Sequence, residues 1–224
     1  MKISYNWLKW YIPEVPTAEK LADVFTYHLA EVEGVEQKGS DTIFDINILP
    51  NRAHDLLSHQ GIAKELASLL SIPYVDPTPK YKVPESKPTG LRIKVEPQEL
   101  QQCRRYMGRI VRNVSVGPSP DWVKEHLESI GQRSINNVVD GANITMYDSG
   151  QPIHAFDLDK VTGMLVVRMA REGEEITTLD NKQIKLRPAD LVIADEKNVL
   201  AIAGVKGGKI AEVDEQTKNI MLIK

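Results

Sequence analysis

The stretch from Arg133 to Lys160, RSINNVVDGANITMYDSGQPIHAFDLDK, decides how the rest of the chain is read. Asn136, Asn137, Asp140, Asn143 and His154 carry hydrogen-bonding groups, while Ile135, Val138, Val139, Ile144, Met146 and Tyr147 predict a short amphipathic helix that buries the scaffold holding them. Polar density of this kind around a helix marks a candidate ligand site. Beyond it, Gln151-Pro152-Ile153-His154-Ala155-Phe156-Asp157 sets an imidazole just after a proline that stiffens the backbone. A neutral imidazole offers one donor and one acceptor, and Asp157 or Asp159 is expected to orient it. On these residues alone a satisfied structural histidine is favoured over a ligand contact. No His or Cys partner lies at metal-ligand spacing, which argues against zinc, and no metal site is expected.

Composition bounds the function classes. A chain of 224 residues with 42% hydrophobic and 26% charged residues is globular and holds one large or two modest domains. The net charge of -3 excludes a strongly basic chain and leaves room for a local basic face. Cys103 alone excludes an internal disulfide framework and fits a reducing compartment. No long apolar run suggests a membrane span or signal peptide, so a cytoplasmic location and no membrane partner are expected.

Outward from the opening stretch, prolines and lysines from Ser71 to Gly90 interrupt helical periodicity and read as an interdomain linker. The expected partition is 1–75, a linker over 76–90, and 91–224. In the first part Thr17 is placed to cap a helix running to about His28. Strands over Val32 to Glu36 and Thr42 to Leu49 flank the turn Lys38-Gly39-Ser40-Asp41. A helix from Ser58 to Leu70, with Ile62, Leu66, Leu69 and Leu70 inward, completes a small α+β unit.

After the linker, strands are expected at Leu91 to Val95 and Tyr106 to Val114, with a short helix around Pro97 to Gln102. Ser119 is placed to cap a helix that Pro120 and Asp121 begin, with Trp122, Val123, Leu127 and Ile130 as its apolar face and Gly131 as its stop. Further strands are expected at Met164 to Ala170, Glu175 to Leu179, Leu191 to Ala194 and Val199 to Ala203, with Asp180-Asn181 a turn. The fold class is α+β, a mixed sheet following the small N-terminal unit. Asn51-Arg52-Ala53-His54-Asp55 reads as a strand-to-helix turn in which Arg52 and Asp55 pair, rather than as acid-base machinery.

Several segments now agree in order and spacing: MKISYNWLKWYI, AEVEGVE, FDINILPNRAHDLLSHQGIAKELASLL, GRIVRNVSVGPSPDWVKEHLESIGQRSINNVVD, GQPIHAFDLDKVTG and LVIADEKNVLAIAGVKGG. Together they resemble the β-subunit family of bacterial phenylalanyl-tRNA synthetases. The resemblance implies a small first β-subunit domain up to about Leu70 and, from about Leu91, a mixed-sheet editing module (B3/B4-like), incomplete at the C-terminus, so that a fragment is expected. It implies an α-subunit partner in a heterotetramer of two α and two β subunits, phenylalanine tRNA as RNA partner, and ATP and Mg2+ chemistry lying outside this chain. In that family the editing module hydrolyses tyrosine mischarged onto the phenylalanine tRNA. Residue by residue, His154, Gly204 and Gly207 match editing-pocket positions, the glycines leaving room for a ligand beside the backbone.

Two departures stand out against that pattern. Ile223 occupies a position where the family carries a glutamate, and the Lys38-Gly39-Ser40-Asp41 turn replaces an inserted oligonucleotide-binding domain. What remains for RNA is Arg104, Arg105, Arg109, Arg112 and Arg133, with Lys124, against the acids Asp121, Glu125 and Glu128; a solvated surface explains these charges equally well. The alternative function is a non-catalytic module that binds an aromatic amino acid or an RNA end.

Overall fold

The computed structural model describes residues 1–77, 93–96 and 101–224. Expectations for most of the linker and for residues 97–100 of the short helix lie outside those residues. The chain is α+β and separates into two compact units, Met1–Pro84 with Pro118–Pro152, and Glu85–Gly117 with Ile153–Lys224. The contiguous expectation placed residues 118–152 with the second domain; their packing lies with the first unit.

In the first unit, DTIFDIN makes a largely buried strand in which Phe44 and Ile46, two apart, face one core. This strand, β3 (Asp41–Asn47), runs between β1 (Lys2–Ser4) and β2 (Glu31–Lys38), antiparallel to both. The β2–β3 turn falls at Gly39-Ser40, where Gly39 takes a positive φ of 61° that suits glycine. Helix α1 (Tyr5–Leu8) is capped by Ser4, and α2 (Ala18–Val24) follows Thr17 before widening into a π-turn over Phe25–Leu29. Thr17 stands at the N-cap position without a side-chain capping bond. After the short α3 (Ala53–Leu56), Ser58 caps α4 (His59–Leu70) by accepting from the Gly61 N–H. Ile62 and Leu66 face the core as expected, but Leu69 is 41% exposed and Ala63 and Ala67 take the inward positions instead. The helix turns His59, Ile62, Ala63, Leu66 and Ala67 inward at i, i+3, i+4, i+7 and i+8, and Leu69 falls off that stripe.

The second polar stretch completes this unit. Helix α5 (Asp121–Ser129) has Pro120 rather than Ser119 at its N-cap. The Ser119 hydroxyl is committed elsewhere: it donates to Asp140 Oδ2 at 2.5 Å. Val123, Leu127 and Ile130 are buried, whereas Trp122 is half-exposed. Helix α6 (Asn137–Ser149) begins at Asn136, whose Oδ1 accepts from the Val138 and Val139 N–H groups, and ends at Gly150 in the left-handed region. Asp140, fully buried, also accepts from Ser134 Oγ (2.6 Å) and the Ile135 N–H (2.9 Å). Asn136 and Asp140 therefore act as cap and fastener of the scaffold.

Three further bonds tie α6 to the N-terminal elements. Asp148 accepts from Trp7 Nε1 at 2.8 Å and from the Tyr11 hydroxyl at 2.6 Å. His59, with no exposed surface, accepts the Ser4 N–H at Nε2 (3.1 Å) and donates from Nδ1 to the Tyr147 carbonyl (2.9 Å). Both ring nitrogens are used in the neutral form, and burial lowers the His59 pKa to about 3. Arg52 bridges Asp55 (2.7 Å) and Glu65 (3.2 Å), as a strand-to-helix brace.

The second unit contains a five-stranded sheet ordered β12 (Lys206–Gly207), β11 (Val199–Ile202), β10 (Leu191–Ala194), β7 (Leu165–Met169), β4 (Ile93–Val95), with β4 parallel to β7. A three-stranded sheet is ordered β5 (Gly108–Arg112), β13 (Asn219–Ile223), β6 (His154–Asp157). The hairpin β8 (Glu175–Thr177) and β9 (Gln183–Lys185) is separate. Phe156, Leu165, Val167, Ile193, Leu200, Met221 and Ile223 share one core, to which both larger sheets contribute.

Candidate functional site

His154 opens β6, where alternation sends its side chain to the same face as Phe156 and opposite to Asp157. The His154 and Phe156 rings meet edge to face at 4.7 Å. Across the ladder, His154 pairs with Ile223 and Phe156 with Met221. Ile223 and Met221 are buried, so the imidazole stands at the margin of an apolar core. Burial lowers its pKa and favours the neutral ring.

The expected orienting carboxylates do other work. Asp157 accepts from Thr217 Oγ1 (2.7 Å) and from the Asp159 N–H (3.0 Å), with Lys160 Nζ at 3.5 Å. Asp159 accepts from Asn219 Nδ2 (2.9 Å). Residues three apart in a strand lie on opposite faces, which is why Asp157 does not reach the imidazole. The network of Asp157, Thr217, Lys160 and Asp214 instead fastens the far end of β6 to the segment leading into β13. Its members are scattered over Asp157 to Thr217, and no local motif announces them.

Gly207 and His154 are brought together. A Cβ on Gly207 would stand 2.6 Å from His154 Cε1, 2.8 Å from Nε2 and 3.1 Å from Leu179 Cδ1. The space left by the missing side chain is thus occupied by the imidazole itself, a tighter use of glycine than a gap for a ligand. The Gly207 carbonyl accepts from the Leu179 N–H at 3.1 Å, pinning that backbone to the segment after β8. Gly204 differs: it takes φ +69° in the turn between β11 and β12, and a Cβ there would meet nothing within 4 Å. Beside this turn Lys206 pairs with Asp180 at 2.8 Å and holds that carboxyl well below its ordinary pKa.

Arg104, Arg105, Arg109, Arg112 and Arg133 are all exposed. Arg109 and Arg112 lie three apart on β5 and so project from opposite faces, and Arg133 belongs to the first unit whereas the other four belong to the second. Among the described residues, no group of three or more His, Cys, Asp or Glu side chains is placed to hold a metal ion. No helix among them is long and apolar enough to cross a membrane.

Against known proteins, the family model of the B3/4 domain matches residues 102–223. The phenylalanine–tRNA ligase β subunit of Fusobacterium nucleatum is 44% identical over 187 residues, covering 82% of this chain and 23% of that protein. The corresponding β subunit of Rhodopirellula baltica is 37% identical over 223 residues, covering 99% of this chain and 32% of its own length. The chain thus spans about a quarter to a third of these curated relatives. Among solved structures, an N-terminal fragment of the phenylalanyl-tRNA synthetase β-subunit from Pyrococcus horikoshii superposes with a TM-score of 0.54 at 17% identity, covering all of this chain and 67% of that one, which is a likeness of fold. With the family model matched over more than half of its length, the chain belongs to the B3/4 domain family and is homologous to the β subunits of bacterial phenylalanine–tRNA ligases.

Proposed function

We propose that this chain serves in a phenylalanine–tRNA ligase as part of the β subunit, assembling with an α subunit, binding phenylalanine tRNA and supporting ATP-dependent attachment of phenylalanine. The observation that carries the reading is the near end-to-end match to the Rhodopirellula baltica β subunit, which runs through both compact units. In this reading ATP and Mg2+ act at the α subunit, the complex is a heterotetramer in the cytoplasm, and residues 91–224 contribute an editing module. Coexpression of a complete β subunit containing this chain with its cognate α subunit tests it: the reading expects a stable complex that charges phenylalanine tRNA, and fails if neither complex nor charging is obtained.

The editing role rests on His154 and Gly207. A neutral imidazole at the margin of an apolar core has one donor and one acceptor with which to hold an aminoacyl ester or a water molecule. Placement of this kind accelerates hydrolysis by positioning, without the imidazole having to abstract a proton. Tyrosine differs from phenylalanine by a hydroxyl, and a buried polar group is the chemistry that senses it. Gly204 and the exposed Arg104, Arg105, Arg109, Arg112 and Arg133 are assigned to pocket and RNA contact on this same reading.

One observation favours the second reading, a binding module without hydrolysis. The position opposite His154 is Ile223, buried and apolar, and Asp157 and Asp159 are committed to other partners. Among the described residues no carboxylate is bonded to the imidazole, and in this reading the site recognises an aromatic amino acid or an RNA end without cleaving it.

A further inference from the structure

Gly207 reaches His154 from a strand of two residues, β12. On one side that strand pairs with β11, where Ala201 faces Gly207 and Ile202 faces Lys206. On the other side runs the segment that leaves β8. The Lys209 N–H donates to the Thr177 carbonyl (2.8 Å), Thr178 bridges Gly208, and the Leu179 N–H donates to the Gly207 carbonyl (3.1 Å). Past Leu179 the turn leading into β12 stands in water, with Val205 76% exposed and Gly204 in the left-handed region.

A side-chain pair closes the open end of that ladder. Lys206 Nζ stands 2.8 Å from Asp180 Oδ2, and the other oxygen of the carboxylate, Oδ1, lies 2.5 Å from the fully buried Thr178 hydroxyl. The Asp180 turn is itself fastened, since the Asn181 N–H donates to the Thr178 carbonyl at 2.8 Å and the Thr178 N–H to the Lys182 carbonyl at 2.9 Å. One end of the pair is therefore anchored in a fixed turn, and the other is the residue immediately before Gly207. Leu179, beside Asp180, comes within 3.1 Å of the place a Gly207 Cβ would take, and the His154 ring within 2.6 Å of it. Leucine, glycine backbone and imidazole are packed without a gap, so a shift of the strand at Lys206 moves the surface on which the imidazole rests.

The geometry points to Asp180 and Lys206 as positioning residues: their ion pair clamps the turn before Gly207 against the turn after Thr178, seats the Gly207 backbone on the His154 ring, and so fixes the pose of the imidazole. Its use in editing rests on the reading given above, in which that imidazole holds an aminoacyl ester or a water molecule. A partly exposed ion pair contributes little to global stability, so breaking it is felt at His154 and not in the unfolding midpoint. Burial is what lowers the His154 pKa, and a loosened clamp admits water to the ring.

The test follows the His154 ring by NMR titration in the 224-residue chain. Lys206→Met and Asp180→Asn each break the pair, and in both the His154 pKa rises towards its ordinary value of 6.5 while the urea midpoint stays nearly unchanged; Lys206→Arg keeps the parent titration. Direct electrostatics behaves otherwise, because loss of the ammonium raises an imidazole pKa and loss of the carboxylate lowers it. In a complete β subunit containing this chain, assembled with an α subunit, the two pair-breaking variants lower kcat for tyrosine release about fivefold with KM little changed. The proposal is overturned if both variants titrate as the parent does, if their shifts have opposite signs, if Lys206→Arg behaves as Lys206→Met, or if an active parent keeps its kcat through both substitutions. A parent that releases no tyrosine refutes the editing reading instead, and the His154 titration then decides the clamp by itself.

Discussion

His154 and Ile223 are direct partners across the β6–β13 ladder, so the imidazole faces an aliphatic side chain where a carboxylate would have formed an ion pair. Replacing that neighbour tests what the apolar setting does. Ile223→Glu buries a carboxylate at a position that is 4% exposed, at a cost of about 2–4 kcal/mol near pH 8. An adjacent negative charge favours the imidazolium, so the His154 pKa rises and the penalty shrinks towards pH 5.5. Denaturant midpoints at both pH values, with an NMR titration of His154, read the effect; an equal penalty at both would contradict it.

Gly207→Ala forces a methyl group to within 2.6 Å of the His154 ring, against a neighbouring Leu179 that is also close. Overpacking of this kind costs about 1–3 kcal/mol and displaces the imidazole. The His154 ring resonances shift and stability falls. Gly204→Ala meets no neighbouring atom but strains a left-handed backbone, so it lowers stability while leaving the His154 resonances in place.

His59 makes stability depend on pH. Its folded pKa of about 3 lies below the ordinary value of 6.5, so between these limits the unfolded chain binds the additional proton. The contribution is complete above pH 6.5 and is lost as pH falls towards 3, with a slope approaching about 1.4 kcal/mol per pH unit. Carboxylates titrate in the same window, so the readout is the difference between the parent and His59→Gln in urea midpoints from pH 4 to 7. The parent loses stability more steeply; parallel curves would sink the assignment.

Asp140→Ala removes the acceptor shared by Ser119, Ser134 and the Ile135 N–H, leaving donors unsatisfied in a buried place. A loss of about 2–4 kcal/mol is expected. Ser119→Ala removes one donor only and costs less. Urea unfolding of the two variants gives the order, and a Ser119→Ala loss equal to that of Asp140→Ala would refute the shared role.

Local periodicity carried much of the fold. The β2–β3 hairpin, α4 and β10 lie where alternation, the helical spacing of Ile62 and Leu66, and a short apolar strand place them, because those signals act over a few residues. Ser119 carries the local signature of a cap, but its partner Asp140 lies 21 residues away in sequence, beyond any local rule. The packing of residues 118–152 with the N-terminal unit depends on Trp7, Tyr11 and His59 meeting Asp148 and Tyr147, contacts that only the folded chain reveals. At the site, the motif with Pro152 singles out His154, whereas the two-residue period of the strand turns Asp157 to the opposite face. The close approach of Gly207 to His154 spans two sheets and has no signature in the sequence.

The measurement that bears most directly on the proposed function is deacylation of tyrosine-charged phenylalanine tRNA by a complete β subunit containing this chain, assembled with the α subunit that the proposal gives it. The editing account predicts rapid release of tyrosine that falls at least about tenfold in His154→Ala, with phenylalanine charging preserved. Release at the uncatalysed rate, or release unchanged by His154→Ala, would contradict it.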